Sequence, residues 1–230
     1  MEQTIPEPAL FLDASTPNIQ AGVLCEGGWL SLRKEQGDAI SLVPELMRQV
    51  LDEAGLKVAK LRALVHCEGP GSLLGLRIAA MCIETWRAIP RAEKLPLYAY
   101  RSLEAARAMH AANTGKDGAF ATAFRKGSYC LLGQTDTEYS IVDEATLASL
   151  GESAHVIAQR HCPRAPEGCM EYVYDMASLP LAIARTEGLL RLASAAEAFS
   201  PSPSEYKLWD GERHRAVPNI PRGSQGTDVS

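Results

Sequence analysis

Residues 66–79 read HCEGPGSLLGLRIA. Glycines at 69, 71 and 75 surround a proline, and an arginine follows inside an apolar run. Ser72, directly after Gly71, suits the N-cap of a helix, and the first N–H groups of that helix point outward, where they can receive an anion. The segment nevertheless lacks the Gly-Lys-Ser/Thr ending of a Walker loop and does not match the dinucleotide fingerprint. A glycine-proline-glycine turn before a helix serves structure more often than binding. Gly75 falls one turn into the helix, where glycine costs about 1 kcal/mol relative to alanine; close approach of another backbone is its expected reason.

Working outward, KLRALVHC (60–67) reads as a buried strand leading into this loop. Before it, SLVPELMRQVLDEAGL (41–56) carries one apolar stripe, Leu42, Val43, Leu46, Met47, Val50, Leu51 and Ala54. That is an amphipathic helix capped by Ser41, with Pro44 in its first turn and Gly55 at its end. Earlier still, ALFLDAS (9–15), AGVLCEG (21–27) and WLSLRKE (29–35) form an antiparallel meander with a tight hairpin at Gly27-Gly28.

Downstream, the helix from Ser72 to about Ile89 is apolar nearly all round, so its own sheet and another chain are expected to cover it. Arg77 and Glu84 share one stripe of it, and Arg77 is expected to pair with a carboxylate at the rim. A strand (95–100), a helix (102–112) and the polar NTGKDG (113–118), a domain boundary, follow. AFATAFRKGSYCLLG (119–133) is a hairpin turning at Lys126-Gly127, YSIVDE (139–144) a strand, and residues 178–199 a long helix. Residues 1–8 read as a flexible N-terminus and 210–230 as a tail, disordered at its end. No internal repeat of fixed period is visible.

This order predicts an α/β chain of two small subdomains with mixed sheets, 9–112 and a reduced 119–209. Three antiparallel strands followed by strands joined through helices is the order of the actin-like ATPase (sugar kinase/Hsp70-like) fold.

The chain has 230 residues, 46% of them hydrophobic, and a net charge of −5, so no overall field draws it to nucleic acid or an anionic membrane. RNA contact must be local or come through a partner. No apolar run is long enough to span a bilayer, and MEQTIPEPAL lacks the features of a signal peptide. Six scattered cysteines fit a reducing cytoplasm. Asp13, Ser15 and Thr16, with Gly69, Gly71 and Ser72, are the candidates for a phosphate site. Asp-Ser-Thr is equally common turn chemistry. His161, Cys162 and Cys169 match no zinc spacing, and no catalytic triad can be assembled, so no metal, cofactor or catalytic residue is assigned.

FLDASTPNIQAGVL (11–24), the helix with its early proline, GPGSLLGLRIA (69–79) and LPLYAYRSLEAAR (95–107) together resemble the TsaB (YeaZ) family. The resemblance covers residues 9 to about 110; beyond 118 only FRKGSY (124–129) and SEYKL (204–208) echo it, as a hairpin and a short terminal strand. It implies an actin-like fold with a degenerate ATPase site. It also implies a non-catalytic, cytoplasmic subunit supporting a TsaD-like catalytic partner in threonylcarbamoyladenosine modification of tRNA position 37. A TsaE-like ATPase is a further partner, a homodimer is the isolated form, and no specific nucleic-acid binding belongs to the subunit itself. The expected interface is Leu46, Met47, Val50, Leu74, Arg77, Ile78, Met81 and Glu84, on the first two helices. Leu73-Leu74, Ala14, Asp38 and Glu68 depart from the family, which usually has phenylalanine-threonine, threonine, histidine and arginine there. These losses fall near the nucleotide site. The alternatives are a small ATPase or phosphotransferase of the actin-like superfamily, or an orphan homodimeric paralogue.

Overall fold

Three antiparallel strands, β1 (Ala9–Asp13), β2 (Asn18–Cys25) and β3 (Gly28–Gln36), open the computed structural model, which describes residues 5–89, 95–160, 162, 164–199 and 201. β1 is buried along its whole length because it lies between β2 and a parallel strand, with both faces covered. The β2–β3 turn sits at Glu26-Gly27, not Gly27-Gly28. Both residues have positive φ, 53° and 71°, as the tight hairpin twist requires.

Helix α1 (Ala39–Glu53) starts earlier than its apolar stripe suggests. Asp38, not Ser41, is the cap, and its carboxylate accepts the Ser41 N–H. Pro44 therefore lies past the first turn, where it forgoes one helical hydrogen bond. β4 (Ala63–Gly69) runs parallel to β1, α2 (Leu73–Arg87) follows under the Ser72 cap, β5 (Leu97–Arg101) runs parallel to β4, and α3 (Ser102–Thr114) ends at Gly115 with φ +69°.

The second half repeats this path. β6 (Ala119–Arg125), β7 (Ser128–Leu132) and β8 (Tyr139–Asp143) form an antiparallel meander turning at Lys126-Gly127. After the short α4 (Glu144–Ala148), β9 (Ala154–Ile157) runs parallel to β6, and β10 (Met170–Tyr172) parallel to β9. The strand orders are β11-β5-β4-β1-β2-β3 and β10-β9-β6-β7-β8, so each half is built as a meander plus two parallel strands. That duplication, with a mixed sheet in each half and reduced helices in the second, is the actin-like fold.

The expected long helix over 178–199 is not formed. Its start is α5 (Leu179–Arg185), after one 3-10 turn at Met176–Ser178; Gly188 then turns at φ +76° and β11 (Arg191–Ala193) pairs antiparallel with β5. Closing the free edge of β5 outweighs the helical propensity of that stretch. Residues 204–208 and the 210–230 tail lie outside the described residues.

One core joins the first sheet to α1 and α2 through Leu10, Leu12, Val43, Leu46, Val50 and Ile83. A second holds the two halves together around α3, from Phe11, Val65 and Tyr100 across to Phe120, Leu132 and Ile157, and a third packs the other face of the second sheet through Ala121, Tyr129, Leu147 and Val156. Ile5, inside the segment expected to be loose, is buried in the second of these.

Candidate functional site

Asp13 ends β1 and is 1% exposed. Its Oδ1 accepts the Ser15 N–H at 2.8 Å, and its Oδ2 accepts two phenolic hydroxyls, Tyr100 at 2.8 Å and Tyr174 at 2.7 Å. Burial, with the Asp13 charge as the second cause, pushes both phenols well above the usual tyrosine range, so they remain donors. Three hydrogen bonds occupy the side chain expected at a phosphate site. Ser15 is fully buried, its hydroxyl making no hydrogen bond of normal geometry among the described residues, and the Thr16 hydroxyl donates to the Asn18 carbonyl at 2.9 Å.

The glycine loop is pressed onto the β1–β2 turn. A Cβ on Gly71 would collide with the Ser15 carbonyl, and one on Gly75 with the Ala14 carbonyl. The Ser72 N–H donates to the Ser15 carbonyl at 2.8 Å, and the Ser72 hydroxyl caps the Gly75 N–H at 3.4 Å. These glycines let two backbones meet. The same glycines leave the N-terminus of α2 beside a cavity of about 320 Å³, between the β1–β2 turn, the start of α1 and the ends of β6 and β9. Thr16, Gly71 and Ser72 line it, with Asp38, Phe124 and Arg160; Asp13, Ser15 and Gly69 do not.

Buried polar side chains lock the halves across this region. Gln159 Nε2 donates to the Ser15 carbonyl and to Thr122 Oγ1, both at 3.0 Å. Gln20 accepts the Met176 N–H at 2.8 Å and donates to the Tyr174 carbonyl at 3.3 Å, and the Trp29 indole donates to the Met176 carbonyl at 3.0 Å. Neither Tyr100, Tyr174 nor Gln159 is marked by local sequence; only the fold brings the tyrosines to Asp13 and Gln159 to Ser15.

The helix residues expected at an interface divide into two groups. Leu46, Met47 and Val50 are 0% exposed and belong to the chain's own core, so the α1 stripe faces its sheet and not a partner. Leu74 (58% exposed), Arg77 and Met81 (66%) form an open stripe on α2, with Ile78 partly buried beside them. Glu84 is engaged within the chain, accepting from Arg87 at 2.8 Å and from the Ala196 N–H at 2.7 Å. Arg77 makes no ion pair among the described residues, contrary to the rim pairing expected of it. Leu73, next to Leu74 at the start of α2, and Ile40, in the first turn of α1, are exposed apolar residues that the sequence does not single out.

Among the described residues, no group of three His, Cys, Asp or Glu side chains could hold a metal, and no helix is long and apolar enough to cross a membrane. Cys162 instead contacts the Tyr129 hydroxyl at 3.3 Å, and His161 lies outside the described residues.

Residues 39–175, from the first residue of α1 to the segment after β10, match the family model described as "TsaD: tRNA N6-adenosine threonylcarbamoyltransferase". The chain belongs to the TsaD family. No curated protein matches it. Among solved structures, YeaZ from Pseudomonas aeruginosa superposes with a TM-score of 0.59 at 21% identity, covering 77% of this chain and 90% of that one. A second structure, described as an uncharacterized protein with similarity to peptidase YEAZ from Pseudomonas aeruginosa, gives 0.55 at 21% identity, over 77% and 89%. This TsaD-family chain thus has the YeaZ fold over nearly the whole of the YeaZ chain, the fold that the 9–110 resemblance implied.

Proposed function

We propose that this chain is a TsaB-like, non-catalytic subunit. In this reading it docks through the open stripe of α2 on a TsaD-like catalytic chain and supports threonylcarbamoyladenosine formation at position 37 of tRNA in the cytoplasm. A TsaE-like ATPase joins the assembly, and the isolated chain pairs with itself through the same stripe.

The observation that carries the reading is the closure of Asp13 by Tyr100 and Tyr174. Phosphoryl transfer is catalysed by positioned charge, and a carboxylate committed to two buried hydroxyls is not free to hold a phosphate-bound cation. The turn opposite, between β6 and β7, offers Arg125, Lys126 and Gly127 and no carboxylate. The buried polar locks between the halves oppose the hinge motion by which two-lobed enzymes close on a nucleotide. What is left open is apolar surface on α2, which fits association.

Purified protein with magnesium and ATP should release phosphate no faster than buffer, and Asp13→Ala should change nothing in that assay. The chain should restore threonylcarbamoyladenosine synthesis to a TsaD-like partner that is inactive alone. An ATP turnover abolished by Asp13→Ala would establish the ATPase alternative instead.

A further inference from the structure

The chain after β11 runs along one flank of α2. Ser194 offers its carbonyl to the Arg87 guanidinium at 3.1 Å, and the Ala196 N–H donates to the Glu84 carboxylate at 2.7 Å. The Phe199 N–H then donates to the carbonyl of Glu68, near the end of β4 and just before the loop into α2, at 2.7 Å. This strap therefore travels from the C-terminal end of α2 towards its N-terminal end. Arg87, Glu84, Ala80, Arg77 and Leu73 succeed one another at alternating steps of three and four residues, which is one flank of a helix. Beside the strap this flank is buried, with Arg87 8% and Ala80 7% exposed. Ahead of it the flank is open: Leu73 is 48% exposed, and the exposed Arg77 makes no ion pair among the described residues.

Phe199 marks the point of departure. The Arg101 guanidinium lies 3.9 Å from its ring centre and the Tyr139 ring 5.1 Å away, so a cation and an aromatic side chain anchor the strap there. Residues 202–230 follow, and within them SEYKLWDGE (204–212) sets Tyr206, Leu208 and Trp209 between Glu205 and the acids Asp210 and Glu212. That composition complements the open end of the flank, where Leu73 and Leu74 are exposed and apolar and Arg77 is the cation. Reach is not limiting, because the four residues 200–203 extend up to about 14 Å while Leu73 to Arg77 rises only about 6 Å along the helix.

We infer that residues 204–209 lie back on Leu73, Leu74 and Arg77 as a tethered cover for the first turns of the open α2 stripe. Tyr206, Leu208 and Trp209 take the apolar surface, and the flanking acids Glu205 and Asp210 meet Arg77. Tethering decides the occupant: a segment attached a few residues away acts at a millimolar effective concentration, above that of a second copy or a separate chain in solution. The cover stops short of Met81, one turn beyond Arg77. That a partner must displace it before docking rests on the role proposed for α2; the cover itself does not.

The test is limited trypsin digestion of the full purified chain, with the cuts after Lys207 and Arg222 timed by mass spectrometry. Lys207 lies inside the covering segment and Arg222 beyond it, so each molecule carries its own control. A synthetic peptide of residues 200–230 supplies the ratio of the two rates without the helix. In the wild-type chain Lys207 should be cut at least about tenfold more slowly, relative to Arg222, than in that peptide, because cleavage follows the uncovered population. Leu74→Glu and Arg77→Glu, at two exposed positions and with the tail sequence intact, should each remove most of this protection while the melting temperature stays as in wild type. Leu30→Glu, exposed on β3 at the opposite edge of the first sheet, should leave it unchanged. Protection should also persist on roughly hundredfold dilution, as an intramolecular contact requires. The inference is overturned by a wild-type ratio equal to that of the peptide, by full protection in both α2 variants, or by equal loss in Leu30→Glu. Protection that fades on dilution would assign the surface to a second copy and overturn it too. No partner is present in these digestions, so a failure of docking, read by co-purification, leaves the rates unaltered.

Discussion

Tyr100 and Tyr174 donate to the same oxygen of Asp13, from positions 87 and 161 residues away in sequence. The triad ties the end of β1 to the end of β5 and to the segment after β10, so Asp13 is a buried strut between the halves. Tyr100→Phe or Tyr174→Phe should each lower stability by about 1.5–3 kcal/mol, the range for a hydrogen bond to a charged group. The double variant should depart from additivity because both hydroxyls share one acceptor. Urea unfolding measures this; losses below about 0.5 kcal/mol would mean that the strut contributes little.

Gly75 gives a test in which two effects have opposite signs. Helix propensity alone makes Gly75→Ala stabilising by about 1 kcal/mol. The collision of the new methyl with the Ala14 carbonyl makes it destabilising by about 1–3 kcal/mol. The account predicts a lower melting temperature for Gly75→Ala, and a rise would show that the loop and the β1–β2 turn are not in close contact.

Much of the first half was legible in sequence because its signals are local. Gly69, Gly71 and Ser72 place the loop, the 42–54 stripe places α1, and the apolar run 9–12 places β1. What was lost depends on distant partners. Residues 186–199 are rich in alanine, leucine and glutamate and read as helix, yet β11 exists only through pairing with β5. The duplication of the fold is invisible as a repeat because the second half keeps the strand order but reduces its first helix to the five residues of α4. At the site, Asp13 and the loop were found, but the tyrosines that close Asp13 carry no motif. The interface residues on α1 were misplaced because an apolar stripe does not say whether a sheet or a partner covers it.

That last distinction is measurable within one protein. Leu46→Ala, in the core beneath α1, should cost about 2–5 kcal/mol, whereas Met81→Ala on the open face of α2 should stay within about 0.5 kcal/mol. Equal losses at the two positions would mean that Met81 is covered within the single chain.

His66 is fully buried in β4, and neither ring nitrogen makes a hydrogen bond of normal geometry. Burial lowers its pKa from the ordinary 6.5 to about 4, partly offset by the Cys67 backbone and then by Glu84 and Asp13. Between these values the unfolded chain binds the proton and the folded chain does not, so stability falls as pH drops from 6.5 towards 4 and this contribution levels off below. The loss at the acid end is roughly 3 kcal/mol. Denaturant midpoints between pH 7 and 4 should show this loss in wild type and a smaller one in His66→Leu; parallel curves would remove His66 as the cause.

The central claim, a subunit that acts by association through α2, is tested most directly by co-purification with a TsaD-like chain from the same genome. Tagged wild-type protein should bring that chain down in a stable complex by size exclusion with light scattering. Met81→Glu, a charge placed in the middle of the open stripe, should abolish the complex while its circular dichroism and melting temperature match wild type. A folded Met81→Glu protein that still holds its partner in full would contradict the account.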